Sequence, residues 1–387
     1  VFEQIQTPSI ESWEVLSAKF AGVGDAIKEA YSFKDQGERE VGLRYDLTVP
    51  LSRFVANNKS LPKPLKLFQT GSVWRDGPIR QGRYREFEQF DADIIGCSTM
   101  LADAEVLAMA ASTLETLGIS FEIKVNNRKL LDAVLEFAGV QKEKRLAAII
   151  CVDKLSKIGA GAVKKELAEK GVDEKSGAKL LKTLSLSLAQ LEEKIKSVEG
   201  KAAIAELKQV FEYAGEFGFG KKIVFDCSLA RGLNYYTGTV FEGFALESKI
   251  SSSICGGGRY DNMIGALSGE NLAAVGISFG IDTLCEVLKE KTIEEKSLTK
   301  AFAIGIGVKE KELIKIVKSL REAGVNTGFD LSGKGVSKNL DYVSKKNIPF
   351  AVIVGNKELE SGKLTLRDMK SGTEEKIGLK EIAKKLG

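Results

Sequence analysis

Polar and apolar residues alternate through REFEQFDADII (85–95). That period of two predicts a strand with one face open to a polar pocket. Alternation puts Arg83, Arg85, Phe87, Gln89, Asp91 and Asp93 on one side of it. A partner strand is expected in PLKLFQTGSVWRDG (64–77), joined through the polar loop DGPIRQG. Upstream, FEQIQTPSIES reads as a strand ending at Pro8, and VGLRYDLTVPLSRFVANN starts extended and turns helical after Pro50. Residues 101–117 carry a helical period, and FEIKVNN is a short strand.

From 128 to 218 the texture changes to Lys, Glu, Ala and Leu, with amphipathic segments such as AVKKELAEKG and LAQLEEKIKSVEG. This predicts a helical insert that splits a strand-rich domain. Strand character returns in KIVFDCSLARGLNYYTGTVFEGF (222–244), in ISSSICGGGRYDNMIGAL and in AAVGISFGIDTLCEVLKEK, which closes as a helix. A charged linker, LKEKTIEEKSLTK, leads to a last segment that alternates strand and helix from AFAIGIGV onward. That order predicts a small α/β domain with a mostly parallel core.

Composition narrows the chemistry. The 387 residues contain no histidine, which removes Ser-His-Asp, Cys-His and His-metal sites. Five scattered cysteines with no CxxC argue against a disulfide framework or a Cys-type zinc site. No apolar run is long enough to span a bilayer, so a cytoplasmic location is expected. From Lys300 to Gly387 there are 18 Lys and Arg against 11 Asp and Glu, a basic balance that suits a phosphate-rich partner or a plain solvated surface. No GxxxxGK[ST] P-loop is present, and GAGAV (159–163) is only a fragment of a dinucleotide fingerprint. The glycine triplet in SICGGGRYD lets a backbone approach something closely, or makes a bulge. Arginines, a flat ring at Phe87, an amide and carboxylates on one strand face suit a ligand with a polyphosphate, a planar base and a cationic end.

RYDLTVP, FQTGSVWRDGPIRQGRYREFEQFDADIIG, ARGLNYYTGTVFE and CGGGRYD, in that order, resemble the histidyl-tRNA synthetase family, a class II aminoacyl-tRNA synthetase family, with an archaeal or eukaryotic cast to the motifs. The resemblance implies an α+β chain: a class II synthetase antiparallel sheet with flanking helices, a helical insertion domain and a C-terminal α/β anticodon-binding domain. The expected boundaries are 1–127 and 219–290 for the split catalytic domain, 128–218 for the insertion and 300–387 for the anticodon-binding domain. The implied activity is ATP-dependent formation of histidyl-adenylate and transfer to tRNA(His), with Mg2+ on ligands the sequence does not disclose. A homodimer is implied; the alternative is a non-catalytic paralogue that regulates histidine biosynthesis.

The resemblance also implies residue roles. Arg75 and Arg231 would meet the α-phosphate as the catalytic pair, with Arg231 also on the histidine side. Arg83 would touch the terminal phosphates and Phe87 would stack on adenine. Asp46, Thr48 and Gln89 would hold the α-amino group. Asp93 and Tyr236 would read the imidazole, with Tyr235 beside them and Gly257 leaving room. Arg80 and Gln81 would lie near the tRNA acceptor end. Thr283 stands where a motif 3 arginine is expected, and Val1 falls inside motif 1. No protein metal ligand is identified.

Overall fold

The computed structural model describes residues 1–18, 25–79, 81–82, 84–230, 235–290 and 297–387. It divides into two compact units, Val1–Lys291 and Thr292–Gly387. The first contains β1 (Glu3–Gln4), β2 (Ile10–Ser12), β3 (Ser32–Lys34), β4 (Glu40–Leu43), β5 (Leu65–Trp74) and β6 (Glu86–Ile95). It continues with β7 (Phe121–Asn127), β8 (Ile223–Phe225), β9 (Thr239–Ala245), β10 (Cys255–Arg259) and β11 (Ala274–Gly280). Eight of these form one sheet in the order β1-β5-β6-β11-β10-β9-β7-β8. The interior pairs are antiparallel, and only the two outermost pairs, β1·β5 and β7·β8, are parallel. The expected antiparallel sheet is therefore present. A second sheet, β2-β4-β3, stands apart from it.

The helix Met100–Thr116 buries Val106, Leu107, Ala110 and Leu114 in one core with Phe121 and Ile123 of β7. Burying a Leu or Phe side chain stabilises by roughly 1.5–3 kcal/mol, so this interface outweighs any local propensity. The helices of 128–218 add Leu131, Val134, Leu180, Leu207 and Val210 to the same core. The first of them, Arg128–Ala138, starts where the Asn127 side chain accepts from Lys129 N at 2.9 Å, and ends at Gly139 with φ of 92°. Both are standard solutions for unpaired helix-end groups.

Three local expectations change. The segment around Pro8 makes two short strands, β1 and β2, in different sheets. The helix expected after Pro50 begins at Thr48, because first-turn N–H groups have no intrahelical partner and a proline there removes nothing. In the second unit, β12 (Ala301–Ile306), β13 (Thr327–Phe329), β14 (Phe350–Gly355), β15 (Lys363–Asp368) and β16 (Glu374–Gly378) pair in the order β13-β12-β14-β15-β16. Only β13, β12 and β14 run parallel; β15 and β16 are antiparallel. The connection 356–362 is too short for the crossover that a parallel β15 would need.

Candidate active site

A cavity opens over the middle of the large sheet. Alternation along β6 delivers Gln89, Asp91 and Asp93 to it. Across the sheet, Gly276 stands opposite Asp93 and Ser278 opposite Asp91 on β11, and Gly258 and Gly256 follow on β10. These small residues form the floor. A Cβ at Gly276 would run into the Asp93 carboxyl, and one at Gly258 would come within 2.8 Å of the Tyr236 ring. Gly257 lines the cavity too. Tyr235 and Tyr236, outside any strand, form a wall with ring centroids 4.7 Å apart, and Tyr235 meets Tyr260 edge-on at 6.2 Å.

Asp46 and Thr48 enter from the start of the helix Thr48–Asn57. Asp46 Oδ1 accepts from Val49 N at 3.0 Å, which satisfies a first-turn donor and fixes the carboxyl. Arg75, just past β5, is aimed by its Nε donating to the Tyr45 carbonyl at 2.8 Å. Its guanidinium lies 5.3 Å from the Phe87 ring centroid, a cation–π distance.

The electrostatics are lopsided. Asp46, Asp91 and Asp93 are each at most 5% exposed. Four buried acceptors have no hydrogen-bond partner among the described residues: Asp46 Oδ2, Gln89 Oε1, Asp91 Oδ1 and Asp93 Oδ2. Burial pushes the Asp93 carboxyl up to about 7, although the Tyr260 hydroxyl donates to its Oδ1 at 2.7 Å and pulls the other way. Burial raises Asp91 well above the usual carboxylate range, reinforced by the charge on Asp93. Asp46 is raised by burial too, against the Val49 N–H and the Arg75 charge. A pocket with this bias favours a cation that brings N–H donors.

Of the expected site residues, Asp46, Thr48, Arg75, Gln89, Asp93, Tyr235, Tyr236 and Gly257 line one cavity. Phe87 sits beside it under Arg75. Arg83 and Arg231, with Arg80, lie outside the described residues. Asp91, Tyr260, Gly276 and Ser278 also line the pocket, beyond the residues the family resemblance implies. Asp91 has a clear signal in the sequence, since it shares the alternation of Gln89 and Asp93. Thr283 holds the neighbouring loop instead of supplying a cation: its Oγ1 donates to the Gly82 carbonyl at 2.9 Å. Gln81 reaches Glu286, on the helix Ile281–Lys289 that also carries Thr283, at 3.1 Å.

The family profile described as histidyl-tRNA synthetase matches residues 2–284, and that of the anticodon binding domain matches 300–387. This chain belongs to the histidyl-tRNA synthetase family. Histidine–tRNA ligase 1 of Bacillus cereus (strain ATCC 14579) is 39% identical over 99% of this chain and 91% of that protein. Histidine–tRNA ligase 2 of Shouchella clausii is 39% identical over 97% of this chain and 92% of its own length. The crystal structure of histidyl-tRNA synthetase from Nostoc sp. PCC 7120 superposes with a TM-score of 0.85 at 28% identity, covering 100% of this chain and 91% of that one. The synthetase fold, with its large antiparallel-rich sheet, thus carries the pocket built on β6, β10 and β11.

Proposed function

We propose that this histidyl-tRNA synthetase activates L-histidine with ATP in the Asp46–Asp93 pocket and transfers it to tRNA(His). One observation carries the reading: four unpartnered, buried acceptors converge in one cavity. An α-ammonium brings three N–H donors and a neutral imidazole brings one more, which matches them one for one. Asp46, Gln89 and Asp91 take the ammonium, with Thr48 beside them, and Asp93 takes the imidazole N–H. The remaining imidazole nitrogen accepts from the tyrosine wall, Tyr236 flanked by Tyr235. Gly257 and its neighbours leave space for the ring. A site that hydrogen-bonds both ends of its substrate rejects analogues that cannot pair, by up to about 10⁴–10⁵.

The chemistry is attack of the histidine carboxylate on the α-phosphorus, with pyrophosphate leaving. Negative charge grows on the α-phosphate oxygens, and Arg75 meets it as a preorganised forked donor. Arg231 is its expected counterpart, Arg83 the contact for the outer phosphates, and Phe87 the platform for adenine. No protein nucleophile is needed, which accords with a sequence lacking histidine. The family uses ATP and Mg2+. Among the described residues no group of three or more Asp, Glu or Cys side chains is placed to hold a metal ion.

Segments 1–127 and 219–290 act as the split catalytic domain, 128–218 as its helical insertion and 300–387 as the anticodon-binding domain. The enzyme works as a cytoplasmic homodimer; no helix among the described residues is long and apolar enough to cross a membrane. Arg75 in the cavity and the anticodon-binding match together favour the enzyme over a regulatory paralogue. Histidine-dependent pyrophosphate exchange tests the reading. Exchange with histidine and not with other amino acids is expected; no exchange by folded protein overturns it.

A further inference from the structure

We infer that the buried Arg259–Asp103 pair is a positioning device for the tyrosine wall of the pocket, an inference that rests on the histidine reading. Arg259 ends β10, between Gly258 and Tyr260, which both face the cavity. Alternation turns its side chain to the opposite side, toward the first turn of the helix Met100–Thr116. There its guanidinium pairs with Asp103 through Nε, at 3.3 Å, and through a shorter Nη2 contact. The same group donates to the carbonyls of Cys97 and Thr99, at 3.2 and 3.3 Å, and to Asp261 Oδ1 at 3.3 Å. Burial works against its charge, yet the hydrogen bonds and charges of Asp103 and Asp261 together outweigh this and raise its pKa. The fork is therefore held in one direction by four separate groups.

The backbone of Arg259 carries that fixed geometry to the wall. Its carbonyl accepts from Thr237 N at 2.8 Å and from Thr237 Oγ1 at 3.3 Å, locking the residue next to Tyr236. Asp261 N donates back to Thr237 Oγ1 at 3.1 Å. On the other side, Tyr260 N donates to the Ala274 carbonyl at 2.7 Å, and Ala274 N donates to the Asp261 carboxylate that Arg259 also holds. Tyr260 then reaches Asp93. Tyr236, Tyr260 and the floor at Gly258 are thus referenced to one guanidinium. A buried ion pair offers little stability beyond a well-packed apolar pair of like volume, so stability alone does not account for it. Neither residue lines the cavity. Both act through the tyrosines.

The test separates placement from stability. The double variant Asp103→Leu/Arg259→Met replaces the pair with apolar groups and should fold, at a melting temperature lowered by the lost donors to Cys97, Thr99 and Asp261. In pyrophosphate exchange its KM for histidine should rise about tenfold while KM for ATP stays within about twofold, the split expected when one substrate's wall is displaced. An unchanged histidine KM in the folded double variant overturns the inference. Should that variant fail to fold, Arg259→Lys decides. It keeps the charge but loses the fork, so a rise confined to histidine KM supports the inference; no rise, or equal rises for both substrates, overturns it. Wild-type exchange is the control, because its absence refutes the histidine reading itself, whereas a normal wild type beside an unaltered variant refutes only the positioning role.

Discussion

The charges of the two units are arranged in opposite ways. In the cavity, Asp46, Asp91 and Asp93 are buried, and each leaves an oxygen without a partner among the described residues. In the C-terminal unit, charges stand in water and pair along helices, as in Lys318–Glu322 and Lys345–Asp341. Exposed pairs of this kind contribute about 0–1 kcal/mol and are screened by salt. Buried unpaired carboxylates are costly until a ligand pairs them. On the proposed reading the first arrangement takes a small cation at short range, and the second offers a net positive surface to a polyanion at long range.

Removing a donor to the phosphate should break this contrast most severely. Arg75→Ala is expected to lower exchange by about 10²–10³, the usual cost of one transition-state donor. Arg231→Ala should do likewise while histidine binding persists, measured by equilibrium titration; turnover within a few fold of wild type would remove Arg231 from its assigned role. A protein ending at residue 297 should keep exchange, lose most tRNA charging and show a shallower dependence of charging on salt. Equal charging by the truncated protein would deny the second unit its task.

Smaller effects sharpen the picture inside the pocket. Asp91→Asn should weaken histidine binding about tenfold by removing a charged acceptor. Asp93 titrates near 7 when folded and at the ordinary carboxylate value when unfolded. Between those limits the folded state binds more protons, so this group's contribution to ligand-free stability falls as pH rises from about 4 to 7. Histidine should flatten that slope, as thermal melts with and without ligand would show. Last, Lys345→Ala in the second unit should shift stability by less than about 0.5 kcal/mol.

Much of the site is legible because strands obey a period of two. The face of β6 from Gln89 to Asp93 follows from alternation alone, whereas the convergence of RYDLTVP with the two tyrosines is what the family resemblance implies. Asp91 is equally legible from spacing but lies outside the roles that the family resemblance implies. Tyr260 is harder, since its partner Asp93 is remote in sequence and only strand pairing joins them. The start at Thr48 escapes a sequence reading because proline looks like a boundary, although a first turn tolerates it. The direction of β15 is hidden because alternating elements suggest parallel pairing, and only the length of a connection decides otherwise.

The Asp46 carboxyl has two employments. One oxygen ties down the first turn of the helix Thr48–Asn57, and the other points into the cavity. Anyone reshaping this enzyme to accept an unnatural amino acid will find that position tempting. A replacement there must also supply a new cap for the helix, or the redesigned pocket will arrive attached to a frayed scaffold.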